Sequence, residues 1–398
     1  MQAYVLDWLN LLVRWLHFTA GISWIGASFY FVWLDNHLTK PVKAEDVAHG
    51  VSGELWAVHG GGFYHNQKFL AGPKGEPLST NLHWFKWEAY TTWLSGMAML
   101  ALVYWVGASA YLIDKSVLDL SPAAAIGLSL ATIVVGALVY ELLCRLLAKQ
   151  PLVLGAAVSA FLVLAGWGLY HVFSARAAYI HVGSIIGTIM VANVAHVIIP
   201  GQRKMVEAIR AGREPDPRLG LLGKQRSVHN TYFTLPVLFI MISNHYPMTY
   251  DNPYGWIVLA AIGAAGVLVR QFFILSHRHK LVVALPLAAF AILGIVAFAI
   301  APRNRPAAQG ADVSFAVVQP IVAARCAACH AAHPTQPGFA SAPAGVLLDS
   351  PERIAANAAR IQAQAVTTHA MPLGNLTHMT DAERTTLGAW IATGAKLK

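Results

Sequence analysis

Residues 152–173 read LVLGAAVSAFLVLAGWGLYHVF, a stretch without a single Asp, Glu, Lys or Arg. A helix that crosses a bilayer needs about 20 mostly apolar residues, and this run supplies them. Seven further runs of the same character flank it: Val5–Leu34, Trp87–Ile113, Ala123–Leu143, Ala177–Pro200, Val228–Tyr246, Tyr254–Leu275 and Leu281–Ala301. The expectation is an all-α chain whose residues 1–301 form an eight-helix transmembrane bundle. Composition agrees. Of 398 residues, 56% are hydrophobic and 12% charged, where a soluble domain carries about 25% charge. A wholly soluble chain and a disordered one are both excluded. Twelve Trp, 13 Tyr and 16 Phe suit the aromatic belts of a membrane protein. The first run lacks a basic leader and carries Arg14 in its middle, so it is expected to remain as a helix rather than be removed as a signal peptide.

The loops set the orientation. Connections after the first, third, fifth and seventh runs hold sixteen Lys and Arg, among them Lys40, Lys68, Arg145, Arg203 and Arg226; the alternate connections hold two, Lys115 and Arg176. Basic residues accumulate on the cytoplasmic side. The N-terminus and the segment after the eighth run are therefore expected outside the cytoplasm. The net charge of +9 follows from topology, with no nucleic acid partner, and the basic run 203–226 reads as a loop facing solvent or lipid headgroups.

Composition changes at Pro302. Residues 302–310 read as a linker, and 311–398 as a small polar domain containing Cys326-Ala327-Ala328-Cys329-His330. C-x-x-C-H is the attachment signature of a c-type haem: two thiols three apart each add to a vinyl group, and the adjacent His330 binds the iron. The competing reading is a redox or zinc CxxC with a chance histidine. For the sixth ligand, Met371 followed by Pro372 is favoured, because proline stiffens the segment that holds the sulfur; His333, His369, His378 and Met379 are rivals. His/Met ligation raises the potential, as an electron acceptor needs. Thr380-Asp381-Ala382-Glu383 is a capping box that opens a last helix, with Leu387, Trp390 and Ile391 as its packing stripe. The whole resembles a class I cytochrome c. Three cysteines are too few for a disulfide framework, and Cys144 reads as a small buried hydrophobe.

Polar groups inside apolar runs are costly and informative. Arg14 and His17 share a face of the first run, and His181 and His196 a face of the fifth. Arg14 fits an anion clamp, His17 or His181 a proton acceptor. The histidine spacing also admits a b-type haem if partner histidines sit at matching levels, although no clean second pair is evident. The first inner connection contains Trp56-Ala57-Val58-His59-Gly60-Gly61-Gly62-Phe63-Tyr64-His65-Asn66-Gln67-Lys68. Its glycines permit close backbone approach, and His59, Gly60, Gly61, Gly62, Tyr64 and Lys68 are candidates to line a planar anionic substrate. A plain turn with aromatic anchors is the alternative.

An eight-run region that opens with Arg14 and His17, carries WAVHGGGFYHNQK over 56–68, and precedes a CAACH domain resembles the membrane-bound bacterial urate oxidases (urate hydroxylases) with a fused cytochrome c. The resemblance covers essentially the whole chain. It implies oxidation of urate to 5-hydroxyisourate, with water as oxygen source, electrons passed to haem c and no hydrogen peroxide made. A soluble cytochrome c or a terminal oxidase would be the next acceptor. The location would be the bacterial inner membrane, with the N-terminus and the cytochrome domain periplasmic. It also implies that Cys326, Cys329, His330 and Met371 hold the haem. Two other readings stay open: a membrane quinol:cytochrome c reductase with b-haems, and a transporter with an attached electron carrier. The absence of an evident inverted repeat weighs against the transporter.

Overall fold

A computed structural model describes residues 2–301, 313–339 and 341–397. The expected linker 302–310 lies outside the described residues. The chain is mostly helical, and each apolar run becomes a helix: α1 Gln2–His37, α2 Trp87–Leu100, α3 Pro122–Leu146, α4 Pro151–Tyr170, α5 Ala175–Arg210, α6 Pro217–Ser243, α7 Gly255–Ser276 and α8 Ala284–Ala299. Length and apolarity single out four of these, α3, α4, α5 and α7, as able to cross a membrane. The others fall short for visible reasons. α2 and α8 have only 14 and 16 residues, and α1 and α6 carry polar side chains within their apolar stretches, among them His17 and Thr19 in α1 and His229, Asn230 and Thr231 in α6. Beyond α2 the chain continues in π-helical turns to Leu112.

Local chemistry sets the helix starts. Ser121 and Ser174 accept hydrogen bonds from Ala124 N and Ala177 N, both at 3.3 Å, and Asp216 accepts one from Arg218 N at 2.9 Å. Each satisfies an orphan amide of a first turn, and Pro122 and Pro217 supply the preset φ of a first helical position. Inside α5, a π-helical segment, Asn193–Ile198, ends two residues before Pro200, whose missing N–H interrupts the regular ladder. α5 is the central helix: 56% of its most apolar window is buried, against 22–28% for the other three.

The all-α expectation needs one correction. The segment read as a glycine loop is a β-hairpin, β1 Val51–His59 paired antiparallel with β2 Gly62–Phe69. Gly60 and Gly61 both have positive φ, 59° and 80°. That is the geometry of a two-residue hairpin turn whose twist matches the strands, and it favours Gly-Gly. The hairpin is anchored at the C-terminal end of α1, where Thr39 pairs with Glu54 and Lys68 Nζ meets Asp35 Oδ1 at 2.6 Å.

The C-terminal unit packs α9 Phe315–Arg325, α10 Pro351–Ala356 and α11 Asp381–Ala392 around its own core. Trp390 is fully buried, its ring 5.7 Å from that of Phe315. The capping box forms as its sequence predicts, with Glu383 N donating to Thr380 Oγ1 at 3.2 Å and Thr380 N to Glu383 Oε2 at 2.7 Å. Gly374 seats this unit against the end of the α2 stretch: an added Cβ would lie 2.7 Å from Ile113 O.

Candidate functional site

Cys326, Cys329, His330 and Met371 line one cavity of about 440 Å³ in the C-terminal unit. Its remaining walls are largely apolar, with Phe339, Val346, Leu348 and Ile361 among them. The volume lies within the roughly 300–1,000 Å³ of cofactor and small-molecule sites. His330 Nδ1 donates to Val346 O at 3.0 Å, which fixes the ring and leaves Nε2 as the nitrogen with a lone pair for a metal. The Met371 backbone is held from both sides. Its N–H donates to Gln364 O at 2.9 Å, and its carbonyl accepts from Arg384 Nη1 at 2.7 Å. The rival ligands lie elsewhere. His369 and Met379 line a different cavity, and His333 and His378 line neither. Among the described residues no group of three or more His, Cys, Asp or Glu side chains assembles, whereas a structural zinc takes four ligands. The donor set and the apolar cradle fit a c-type haem.

A second cavity, about 490 Å³, lies between the C-terminal unit and the helical part. It is polar, with Arg176, Asp251, Asp114 and Arg384 in its walls, and it shares Ala110 and Leu373 with the first.

The substrate candidates from sequence do not converge. Arg14 is exposed, with Nε and Nη2 donating to Asn10 Oδ1 at 3.3 and 3.2 Å. One turn on, His17 Nδ1 contacts Thr92 O at 2.9 Å, binding α1 to α2. His181 is fully buried, and both its ring nitrogens are engaged: Nδ1 donates to Ala177 O, and Nε2 accepts from Ser129 Oγ, each at 2.7 Å. Ser129 in turn accepts from Trp105 Nε1 at 2.9 Å. This His181 is a satisfied core residue, with no nitrogen left for a b-haem iron or a substrate proton. His59, Gly60, Gly61, Gly62, Tyr64 and Lys68 sit on the hairpin by Asp35. Along the continuous α1, Asp35 is about 32 Å from Arg14 at 1.5 Å per residue. Arg14 and the hairpin therefore cannot hold one small molecule together.

A consequence for His181 is testable. His181→Ala leaves Ser129 without its buried acceptor, at a cost of about 1–3 kcal/mol. Its thermal midpoint should fall while turnover per folded molecule stays near wild type; turnover lost in fully folded protein would restore His181 as the base.

A family model described as "Urate oxidase N-terminal" matches residues 3–301. The chain belongs to this family. The match spans α1 to α8 with the hairpin, and it points to a urate-related function and to an oxidoreductase. No curated protein and no solved structure shows a significant match. The C-terminal unit lies beyond the matched residues and rests on its own chemistry.

Two arginines carry more than sequence reading gave them. Arg226, assigned to a solvated loop, lies inside α6 at 3% exposure. Its Nη2 meets Glu141 Oε2 at 2.8 Å, and its guanidinium lies 5.3 Å from the Tyr140 ring, while Nε and Nη1 have no partner. Tyr140 OH, His229 Nδ1 and Asn193 Nδ2 extend the cluster, with contacts of 2.7 and 2.9 Å. Arg176 was counted only as an exception to the charge bias. Its Nε meets Asn244 Oδ1 at 3.1 Å, and it lines the polar cavity.

Proposed function

We propose that the protein is a membrane-embedded urate oxidase that delivers electrons to a haem c held by its own C-terminal unit. The observation that carries this reading is that Ala110, a residue of the stretch that matches the urate oxidase family, lines the same cavity as Cys326, Cys329, His330 and Met371. Electrons drawn from urate in the helical part would then have a short route to the C-terminal unit.

The chain's residues have defined tasks. Cys326 and Cys329 would tether the haem through their sulfurs. His330, oriented through Val346 O, and Met371, held by Gln364 and Arg384, would bind its iron. Haem c bound there supplies a one-electron acceptor of raised potential. Urate is a monoanion near neutral pH. Its conversion with one water to 5-hydroxyisourate releases one proton and two electrons, so two electron deliveries complete a turnover and no peroxide forms. A soluble cytochrome c or a terminal oxidase empties the haem between them. The eight helices cross the bacterial inner membrane, the four long apolar ones being its clearest spans. With all eight helices crossing, the bias of basic residues toward alternate loops supports a periplasmic N-terminus and cytochrome unit, on the side where c-type haem is attached.

The test is anaerobic mixing of oxidised protein with urate. The expected result is reduction of two haems per urate, with 5-hydroxyisourate formed and no peroxide. A haem that stays ferric with urate but is reduced by a quinol would overturn the proposal in favour of the reductase.

A further inference from the structure

We propose that the polar cavity between the C-terminal unit and the first turn of α5 is the urate site, with Arg176 binding the anion and Asp251 accepting the proton released on oxidation. This rests on the functional reading above and gives it a location that neither the family match nor the sequence motifs supply.

Position is the first argument. The cavity shares the walls Ala110 and Leu373 with the cavity that fits the haem. A purine here sits beside its electron acceptor, whereas one at the hairpin would be near the far end of α1. Size is the second. About 490 Å³ accommodates a bicyclic purine and leaves room for the co-substrate water, whose share of liquid volume is about 30 Å³.

Charge is the third. Ser174, Ala175 and Arg176, the cap and first turn of α5, line the cavity. A helix N-terminus presents free amides and a partial positive charge to an anion. Arg176 adds a full one, and its Nε is anchored to Asn244 Oδ1 at 3.1 Å with the guanidinium 5.2 Å from the Tyr111 ring. Arginine is the side chain suited to paired hydrogen bonds with a planar anion.

Asp251 is the fourth. Its Oδ2 is buried without a partner. An orphaned buried acceptor calls for an explanation, and a purine N–H or the attacking water is a donor of the right kind. Burial pushes its carboxyl up to about 7, with Arg384 opposing and Asp114 adding to the rise. Arg176, His369 and Asp381 line the same space, and Tyr170 and Tyr250 flank Asp251. Asp114 is already engaged, accepting from Ser116 N and Oγ at 2.9 and 2.6 Å. The step balances. Urate monoanion and water give 5-hydroxyisourate: a C5–O bond forms, one O–H of the water breaks, the proton goes to Asp251 as carboxylate, and the two electrons released would be taken one at a time by haem c. Asp251 works as the carboxylate, so the rate should rise with pH through about 7 and level off above it.

The test uses dithionite-reduced holoprotein, which can bind urate but cannot oxidise it. Equilibrium dialysis with radiolabelled urate then reads binding alone. Arg176→Gln should weaken binding about 10- to 100-fold, the value of charged hydrogen bonds. Asp251→Asn should bind within a few-fold of wild type yet slow urate-driven haem reduction about 10²- to 10⁴-fold and abolish the rise near pH 7. Ala175→Phe, which fills the cavity from the helix turn, should block binding even if Arg176→Gln fails to fold. Wild-type binding in both Arg176→Gln and Ala175→Phe would overturn the site, and a pH limb that persists in Asp251→Asn would remove Asp251 as the base. If wild-type protein neither binds urate nor is reduced by it, the functional reading fails instead.

Discussion

Cys326→Ala combined with Cys329→Ala should abolish urate-driven electron flow while leaving urate bound. The two thiols occupy the wall of a largely apolar cavity, beside the His330 that is already oriented by Val346 O. Removing both takes away the covalent tether, so any haem retained is held only by His330, Met371 and apolar contact. Tethering raises effective concentration by orders of magnitude without adding contacts. Its loss should leave the protein without pigment after denaturing electrophoresis, and urate oxidation at background. Either single variant keeps one thioether and should retain part of the haem. Arg176 and Asp251, the proposed urate contacts, lie in the helical part, whose core is a separate cluster around α3 and α5, although the C-terminal unit supplies the opposite wall. Dialysis with the double variant should therefore still show urate binding, weakened by whatever the wall of the C-terminal unit contributes. Pigment that survives denaturation in the double variant would remove these cysteines from haem attachment.

The legible parts of this protein were those whose signal is local. A run such as 152–173 announces its helix because every residue in it is apolar, and α4 follows at Pro151–Tyr170. The capping box at Thr380 and the CAACH segment are read within a few residues. The hairpin was equally local but masked: its glycines suggested a flexible loop, while the dipeptide Gly60-Gly61 between strand-forming stretches specifies a two-residue turn. The polar cavity was not legible at all. Arg176 begins a helix, Asp251 sits in a turn, and Arg384 belongs to the C-terminal unit; only the packing of three distant segments gathers them. Arg226 failed for the opposite reason, since a charge count by loops cannot see that α6 extends far enough to bury it.

Gly374→Asn should slow electron transfer from urate without changing the haem itself. Gly374 has φ +52°, and a Cβ there would stand 2.7 Å from Ile113 O and 3.4 Å from Ala110 O. The first distance is shorter than real contacts allow, and the obstacle is backbone, so the C-terminal unit must move. Asparagine separates two effects that valine would mix. It tolerates the left-handed region, so strain inside the unit stays small, yet it carries the Cβ that clashes across the interface. Overpacking of this kind costs about 1–3 kcal/mol. Expressed wholly at the interface, that is about a 5- to 150-fold loss in the seated population. Ala110 belongs to both cavities and Gly374 lines the polar one, so displacement there would separate the purine from the haem. Urate-driven reduction should fall by a similar factor, whereas dithionite should reduce the haem at the wild-type rate and the Soret spectrum should be unchanged. Urate-driven reduction at the wild-type rate would mean that the unit does not collect electrons from this seat, and that the route runs through a rearranged contact instead.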